Sequence, residues 1–254
     1  MKKHHILTAA LALLAFAVSA GANTPEWFPY PAYKDRAGWD SLTGSRKDEL
    51  IKAGEKYLDR QWVPVLASAY LEYEKTGSSA LMDEAARNRV ALNAMVLAEL
   101  AEGKGRFIGR IADYAWLETT RFSWSFAGLS KRQASGRALP APDDRYITPD
   151  AAANAVSFAV AWSFFHKEFD RLDPSISKMI VRSMRMNIFE PFFDDSKARD
   201  AGCDFGVLAA FLLMDDDQDE IVRAGKRSSV SIAAVRERMS AADIPYLIEI
   251  LRPW

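Results

Sequence analysis

A pair of helices joined at a glycine corner is the feature that most constrains this fold. An apolar run from Val90 to Leu100 stops at Gly103-Lys104-Gly105, and a second segment with helical periodicity begins at Arg106. Glycine ends a helix readily because it adopts the left-handed backbone conformation without a Cβ clash. The pattern predicts two consecutive helices, and we expect any chemistry near the polar residues that end the second helix.

The same helical period continues further along the chain. Helix starts are marked by Thr148-Pro149-Asp150 and by Asp173-Pro174, where a capping side chain precedes a proline. The first of these helices should run to about Phe169, and the second should run towards Pro191. Because the sequence contains no run of alternating β-branched residues, we predict an all-α fold of antiparallel helical hairpins with short connections.

The two ends of the chain are less regular. Residues 23–44 contain prolines and aromatic residues without a steady period, which indicates an extended arm lying on the domain. A helix should begin near Ser45 and continue beyond a kink at Pro64, because proline lacks a backbone donor. After Phe192 the apolar segments become short, and Ser240 should open the last helix.

Residues 1–22 are predicted to be a signal peptide. Lys2 and Lys3 precede an apolar core from Ile6 to Val18, and small residues up to Ala22 offer cleavage sites. The apolar core is too short to span a bilayer, and no later segment has the length to do so. We therefore expect an exported protein without a membrane span, most simply in a bacterial periplasm.

Charge and residue counts argue against several kinds of partner and cofactor. A formal net charge of −1 disfavours nucleic acid or an anionic membrane as the partner, since both usually require a basic surface. Cys203 is the only cysteine, and a buried apolar role is favoured over a reactive thiol. Only His166 follows the signal peptide, which excludes a Cys/His zinc site. A calcium loop starting at Asp215 fails because Glu220 stands where glycine is needed. We expect no metal and no cofactor.

The glycine corner also carries a family resemblance. The segment LNAMVLAELAEGKGRFIGRIADYAWLETT, residues 92–120, resembles the helical N-terminal half of the heparinase II/III-like polysaccharide lyases. Lys104-Gly105-Arg106-Phe107 and Trp116-x-Glu118-Thr119-Thr120 match in kind and spacing. The resemblance extends from about Pro31 to about Phe193. It implies that residues 45–254 form an incomplete (α/α) toroid, which is divergent or truncated after about 194.

The resemblance implies an activity as well. In this family the helical ring forms one wall of a glycan cleft, and a β-sandwich completes the enzyme. We expect no segment of this sequence to form that sandwich. The family cleaves uronic-acid polysaccharides by β-elimination, which requires a group to neutralise the carboxylate, a base and an acid. A histidine expected shortly after Trp124 is replaced by Ser125-Phe126-Ala127-Gly128. The catalytic residues therefore stay unassigned, and whether the chain is an enzyme is left open.

Three functions follow as hypotheses. The first is the helical domain of an acidic polysaccharide lyase, which would lack the full catalytic machinery and would need the lyase remainder as a separate chain. The second is a non-catalytic protein that binds an acidic polysaccharide or oligosaccharide. The third is a helical protein-interaction domain whose segments after Asp194 cover an edge or bind a partner.

The candidate substrate-binding residues are Glu118, Arg121, Trp124 and His166. An aromatic face stacks on a pyranose ring, and arginine pairs with a carboxylate or sulfate. The alternatives are that Trp124 belongs to the core, that Arg121 is a charge at a helix C-terminus, and that His166 is a structural or surface histidine. Trp116 is expected in the core. The basic residues of the long loop at 121–148 either face an acidic glycan or belong to a solvated loop: Lys131, Arg132, Arg137 and Arg145.

Overall fold

The computed structural model describes residues 25–251, apart from 122, 127, 143, 195–198, 216 and 242. Within these residues every regular element is a helix and no strand is present, which confirms the all-α prediction. The predicted signal peptide lies outside the described residues. The helices are α1 (Arg36–Thr43), α2 (Lys47–Glu55), α3 (Ala67–Thr76), α4 (Ala80–Glu102), α5 (Ile108–Thr119), α6 (Pro149–Leu172), α7 (Pro174–Met184), α8 (Glu190–Phe193), α9 (Asp204–Met214), α10 (Gln218–Arg227), α11 (Ile232–Met239) and α12 (Ile244–Ile250).

The glycine corner forms as predicted between α4 and α5. Gly103 has a φ of +69°, and its N–H donates to the carbonyl of Glu99 at 2.7 Å. The buried Glu99 carboxylate then accepts from the N–H groups of Gly105 at 2.6 Å and Phe107 at 3.1 Å. This carboxylate pairs with two backbone N–H groups that would otherwise lack an acceptor, so it stabilises the turn. Helix α5 begins at Ile108 rather than at Arg106.

Helix α6 is the central element of the core. It begins as predicted, since the Thr148 hydroxyl caps it by accepting from the N–H of Ala151 at 3.4 Å. Nearly every residue from Ala151 to Phe165 is buried, and α6 packs against α4, α5, α7 and α9. The predicted start of α7 is confirmed too, because the Asp173 side chain accepts from the N–H of Ser175 at 2.7 Å.

Three segments differ from the sequence prediction. The arm predicted for residues 23–44 is extended only in part, because Asp35 caps helix α1 and the fully buried Trp39 anchors it. Pro64 does not kink a helix: it lies in the loop between α2 and α3, where the Val63 carbonyl accepts from Asn88 Nδ2 at 2.8 Å. The last helix is capped by the Asp243 side chain rather than opened by Ser240.

The helices after residue 200 complete the same core. Helix α9 packs along α6, and α10 and α11 pack on α9. At the last described residue, the Leu251 carbonyl accepts from the buried Asn93 Nδ2 at 2.5 Å, so this side chain joins α4 to the end of α12. The Tyr30 hydroxyl donates to the Ala241 carbonyl at 2.8 Å. In the described part of the chain, no helix is long and apolar enough to span a membrane.

Candidate functional site

A buried polar cluster lies where α5 ends. The Glu118 carboxylate forms an ion pair with Arg121 and accepts from Asn154 Nδ2 at 3.3 Å. Arg121 Nη2 donates to the Tyr70 hydroxyl at 3.2 Å, and that hydroxyl donates to the Ser125 carbonyl at 3.0 Å. The cluster therefore joins α3, α5 and α6 through the interior of the protein.

Burial controls the ionisation of this cluster. Burial raises the pKa of the Glu118 carboxyl, and the Arg121 guanidinium opposes that rise. Burial acts to lower the pKa of Arg121, but Glu118, Tyr70 and Tyr114 together outweigh it and raise that pKa. Arg121 consequently stays protonated, and its charge is matched inside the fold rather than offered to a ligand. This arrangement favours a structural role for both residues.

Trp124 is an interior residue. It is 1% exposed, its ring stacks on Phe158 with centroids 5.3 Å apart, and its Nε1 donates to the Glu118 carbonyl at 3.0 Å. The alternative that Trp124 belongs to the core is confirmed. Neither face of its ring is open to a sugar in this structure.

The structure contradicts the prediction for Trp116. It is 50% exposed, so the expectation that it belongs to the core is wrong. The buried positions Ile111, Ala115 and Glu118 recur at helical spacing, and Trp116 falls outside their face. It borders a shallow groove together with Leu172, which is 56% exposed.

His166 borders the cavity that we consider the candidate site. This cavity has a volume of about 460 Å³, within the range of roughly 300–1,000 Å³ that small-molecule sites occupy. It lies between α6 and α7, and the end of α9 closes one side. Its wall is apolar and aromatic, and its residues include Trp162, Val181, Phe189 and Met214.

Two ring nitrogens of the cavity lining have no hydrogen-bond partner. They are Nε1 of Trp162 and Nε2 of His166, and both are buried. The two rings lie one turn apart on α6, with centroids 5.0 Å apart and planes inclined by 31°. An unsatisfied buried polar atom costs about 1–3 kcal/mol, so these two nitrogens reduce the stability of the cavity wall.

The rim of the cavity is mainly basic. Lys178 and Arg182 are one helical turn apart on α7, both are exposed, and neither forms an ion pair with a described residue. Arg185 also borders the cavity and pairs with Glu190 at 2.8 Å. Asp170 and Asp215 supply the acidic groups. Two cations are therefore available to an anionic ligand beside an aromatic wall.

A π-helical segment, Arg185–Phe189, joins α7 to α8 and shapes one end of the cavity. In this segment the Glu190 N–H donates to the Arg185 carbonyl, five residues earlier. The Met186 carbonyl would next require the N–H of Pro191, which proline lacks, and it accepts from Arg145 Nη1 at 3.1 Å instead. The wide turn places Arg185 and Phe189 at the cavity, and such segments are frequent at functional sites.

The other candidates from the sequence lie elsewhere. In the long loop, Arg132 pairs with Asp200 at 3.4 Å, and none of the loop residues that the structure describes borders the cavity. The Asp217 side chain caps α10 by accepting from the N–H groups of Asp219 and Glu220. The described residues contain no group of three or more His, Cys, Asp or Glu that could hold a metal ion.

Sequence reasoning found His166 but missed its companions in the cavity. A signal was available, because Trp162, His166 and Asp170 recur every four residues on one helix, and Lys178 and Arg182 do so on the next. What the sequence does not show is that these two faces meet. No protein-family model matches this chain, and no curated protein matches it significantly.

Proposed function

We propose that this protein binds acidic oligosaccharides that contain uronic acid, in the cavity between α6 and α7. The observation that carries the proposal is the joint presence of an aromatic wall and two unpaired cations, Lys178 and Arg182, around one cavity of about 460 Å³. A pyranose ring has apolar faces that pack on Trp162 and Phe189, while its carboxylate meets the cations.

The sequence supports this class of ligand over other small anions. Residues 92–120 resemble a family that acts on uronic-acid polysaccharides, and residues 1–22 have the pattern of a signal peptide. Export, most simply to a periplasm, would bring the protein to the compartment in which such glycans are met. The proposal therefore joins the chemistry of the cavity to two independent features of the sequence.

The resemblance also extends the proposal to the architecture. Packing contacts link α2 to α4, α4 to α5, α5 to α7, α7 to α6, and α6 to α9. A series of neighbouring helices of this kind is what an incomplete (α/α) toroid would produce. In that arrangement the cavity would lie at the junction of successive helical hairpins, where a glycan chain could pass.

A second candidate function is β-elimination, and one observation favours it. His166 lines the cavity and its buried Nε2 has no hydrogen-bond partner, so this imidazole is our candidate for the base that would take the proton of a bound uronate. A partner chain that supplies the lyase remainder would then complete the site. Incubation of the purified protein with uronic-acid polysaccharides tests this function through the ultraviolet absorbance of unsaturated uronate. Product formation by the protein alone would replace the binding proposal with a catalytic one.

Calorimetric titration tests the binding proposal. The ligands are tetrasaccharides from polygalacturonate, alginate and hyaluronate, each paired with its carboxyl-reduced counterpart. We expect at least one acidic tetrasaccharide to bind and its reduced counterpart to bind at least about tenfold more weakly, a loss of about 1.4 kcal/mol.

The double variant K178A/R182A should show a similar loss of affinity for the acidic ligand. The matched control is K167A, which removes an exposed charge of α6 that does not border the cavity. Absence of binding by all three acidic ligands would contradict the proposal, as would undiminished binding by K178A/R182A.

A further inference from the structure

The exposed ring of Trp116 borders a groove on α5. Four residues of α5 line this groove at positions i, i+3, i+4 and i+7, so they share one face of the helix: Gly109, Ala112, Asp113 and Trp116. Gly109 and Ala112 are small, and a Cβ added at Gly109 would meet no atom within 4 Å. This face of α5 therefore leaves open space along the groove.

The end of α6 and the start of α7 supply the rest of the lining. Leu172 is exposed and Ile176 is partly buried, so these helices add apolar surface to the groove. The space has a volume of about 380 Å³, within the range of roughly 300–1,000 Å³ that small-molecule sites occupy. We call this space, between α5 and the turn that joins α6 to α7, the Trp116 groove.

Two carboxylates border the Trp116 groove, and each keeps an oxygen that no described residue pairs with. Asp113 uses Oδ2 to pair with Arg110 at 2.6 Å, and Asp173 uses Oδ1 to accept from the N–H of Ser175 at 2.7 Å. The bond from Ser175 also holds the pKa of Asp173 below its ordinary value of 3.8. Both side chains are exposed, so the second oxygen of each can accept a hydrogen bond from a ligand.

The charge of the lining restricts the kind of ligand. None of the described residues that line the Trp116 groove is a lysine, an arginine or a histidine. Carboxylates repel an anion, but they accept hydrogen bonds from hydroxyl groups. An uncharged pyranose ring carries hydroxyl groups around its edge and C–H groups on its faces, and such a face packs well on an indole. The groove is therefore complementary to an uncharged sugar.

We propose that the Trp116 groove binds an uncharged pyranose, which packs on the Trp116 indole and donates hydrogen bonds to Asp113 and Asp173. This site differs in charge from the cavity between α6 and α7, where Lys178 and Arg182 would attract an acid. The inference does not depend on the proposed function, because it rests on the lining of a different surface.

An organic ammonium ion is the competing occupant, since carboxylates and an aromatic ring attract it as well. Proteins that recognise such ions surround them with a cage of aromatic rings. Trp116 is the single aromatic residue among the described residues that line the groove, and the neighbouring apolar surface comes from Leu172, Ile176 and Ala112. This lining fits the broad face of a sugar ring better than a compact cation.

The indole N–H resonance of Trp116 tests the inference. The experiment uses the ¹⁵N-labelled protein, in which W116F identifies this resonance among the seven tryptophans of the chain. The probes are methyl β-D-glucopyranoside, methyl β-D-galactopyranoside and methyl α-D-mannopyranoside. We expect at least one of them to shift the resonance with saturation. The uronide that corresponds to this probe should bind at least about threefold more weakly, because its carboxylate meets Asp113 and Asp173.

Two variants at Gly109 separate binding in the groove from an effect elsewhere. Gly109→Leu fills the open space and leaves Trp116 in place, and leucine is a better helix former than glycine, so the fold should be kept. Gly109→Ala is the matched control, because it removes the same glycine and adds a single methyl group. We expect the leucine variant to lose at least about tenfold in affinity and the alanine variant to stay within about threefold of the unmodified protein.

Three results would overturn the inference. The first is a Trp116 resonance that none of the three glycosides shifts. The second is a shift that Gly109→Leu leaves unchanged. The third is a shift produced by tetramethylammonium chloride and by none of the glycosides, which would make the groove a cation site. The proposed function is tested separately, because tetrasaccharide binding in the cavity is measured with K178A/R182A.

Discussion

His166 Nδ1 donates to the carbonyl oxygen of Trp162 at 3.0 Å, one helical turn earlier on α6. This contact orients the imidazole beside the Trp162 indole, and both residues line the cavity. The rigid, buried helix α6 supplies both rings, while α7 supplies the cations of the rim. A site built on two packed helices is held more precisely than one built on a loop.

At the glycine corner between α4 and α5 and in the helix that follows it, two glycine substitutions should change the stability of the protein in opposite directions. Replacing Gly103 by alanine should destabilise the protein by at least about 1 kcal/mol, because φ is +69° and a Cβ would clash with the Arg36 guanidinium. Replacing Gly109 by alanine should stabilise it by up to about 1 kcal/mol, since Gly109 lies within α5 and a Cβ meets nothing within 4 Å. Urea denaturation of the two variants measures both effects. Equal changes in the two free energies of unfolding would contradict this account of the corner.

Removing the charge of Glu118 should destabilise the fold strongly. Glu118→Gln leaves the buried Arg121 guanidinium without its counter-charge, which costs about 3 kcal/mol in comparable buried pairs. The free energy of unfolding checks this, and Glu49→Gln is the control, because Glu49 belongs to an exposed pair with Arg46 and should change stability by less than about 1 kcal/mol. If Glu118→Gln is as mild as its control, the polar cluster does not hold α5 to its neighbours as described.

Asp204 should contribute stability that depends on pH. It accepts from Arg199 Nε and from the N–H of Ser229, each at 2.6 Å. Burial acts to raise the pKa of Asp204, but these partners outweigh it and hold that pKa below its ordinary value of 3.8. The contribution should therefore be fully present above about pH 3.8 and should be lost as the pH falls through the lower, folded-state pKa.

The variant Asp204→Asn tests this dependence. At neutral pH it should lose about 2 kcal/mol relative to the unmodified protein, because hydrogen bonds to a charged group become bonds to a neutral one. The difference should shrink in acid, where Asp204 itself becomes neutral. Unfolding curves over a range of pH measure it, with Asp113→Asn as the exposed control. A difference that stays constant across that range would argue against the ionised Asp204 contacts.

Cys203 should be unreactive while the protein is folded. The thiol is fully buried and donates to the Ile147 carbonyl at 3.4 Å. Burial, with Asp200 and Asp204 nearby, raises the pKa of the thiol to about 12, so almost no thiolate is present at neutral pH. Mass spectrometry after treatment with iodoacetamide should show no modification of the folded protein and complete modification in urea. Rapid alkylation of the folded protein would show that this part of the core opens.

Local signals in the sequence predicted much of the fold. Gly103 and Thr148 act through their own backbone neighbourhoods, so a helix end and a helix cap are readable at those positions. Pro64 was misassigned because its loop depends on the distant Asn88 side chain, which holds the backbone at Val63. Sequence periodicity cannot reveal a hydrogen bond between segments that are far apart in the chain.

The candidate site was less predictable for the same reason. Trp116 and Trp124 are eight residues apart in similar surroundings, yet one is half exposed and the other is buried. Which of them packs depends on where α6 lies, since Phe158 covers Trp124. The cavity at His166 likewise requires α7, the π-helical segment and the end of α9 to meet. The spacing of residues in the sequence does not show that these segments are in contact.

The most direct test of the proposed function is a crystal structure of the protein with an acidic tetrasaccharide bound. We expect the sugar between α6 and α7, with one ring against Trp162 and a carboxylate near Lys178 or Arg182. A sugar bound instead on the exposed face of Trp116, with the cavity at His166 unoccupied, would contradict the account.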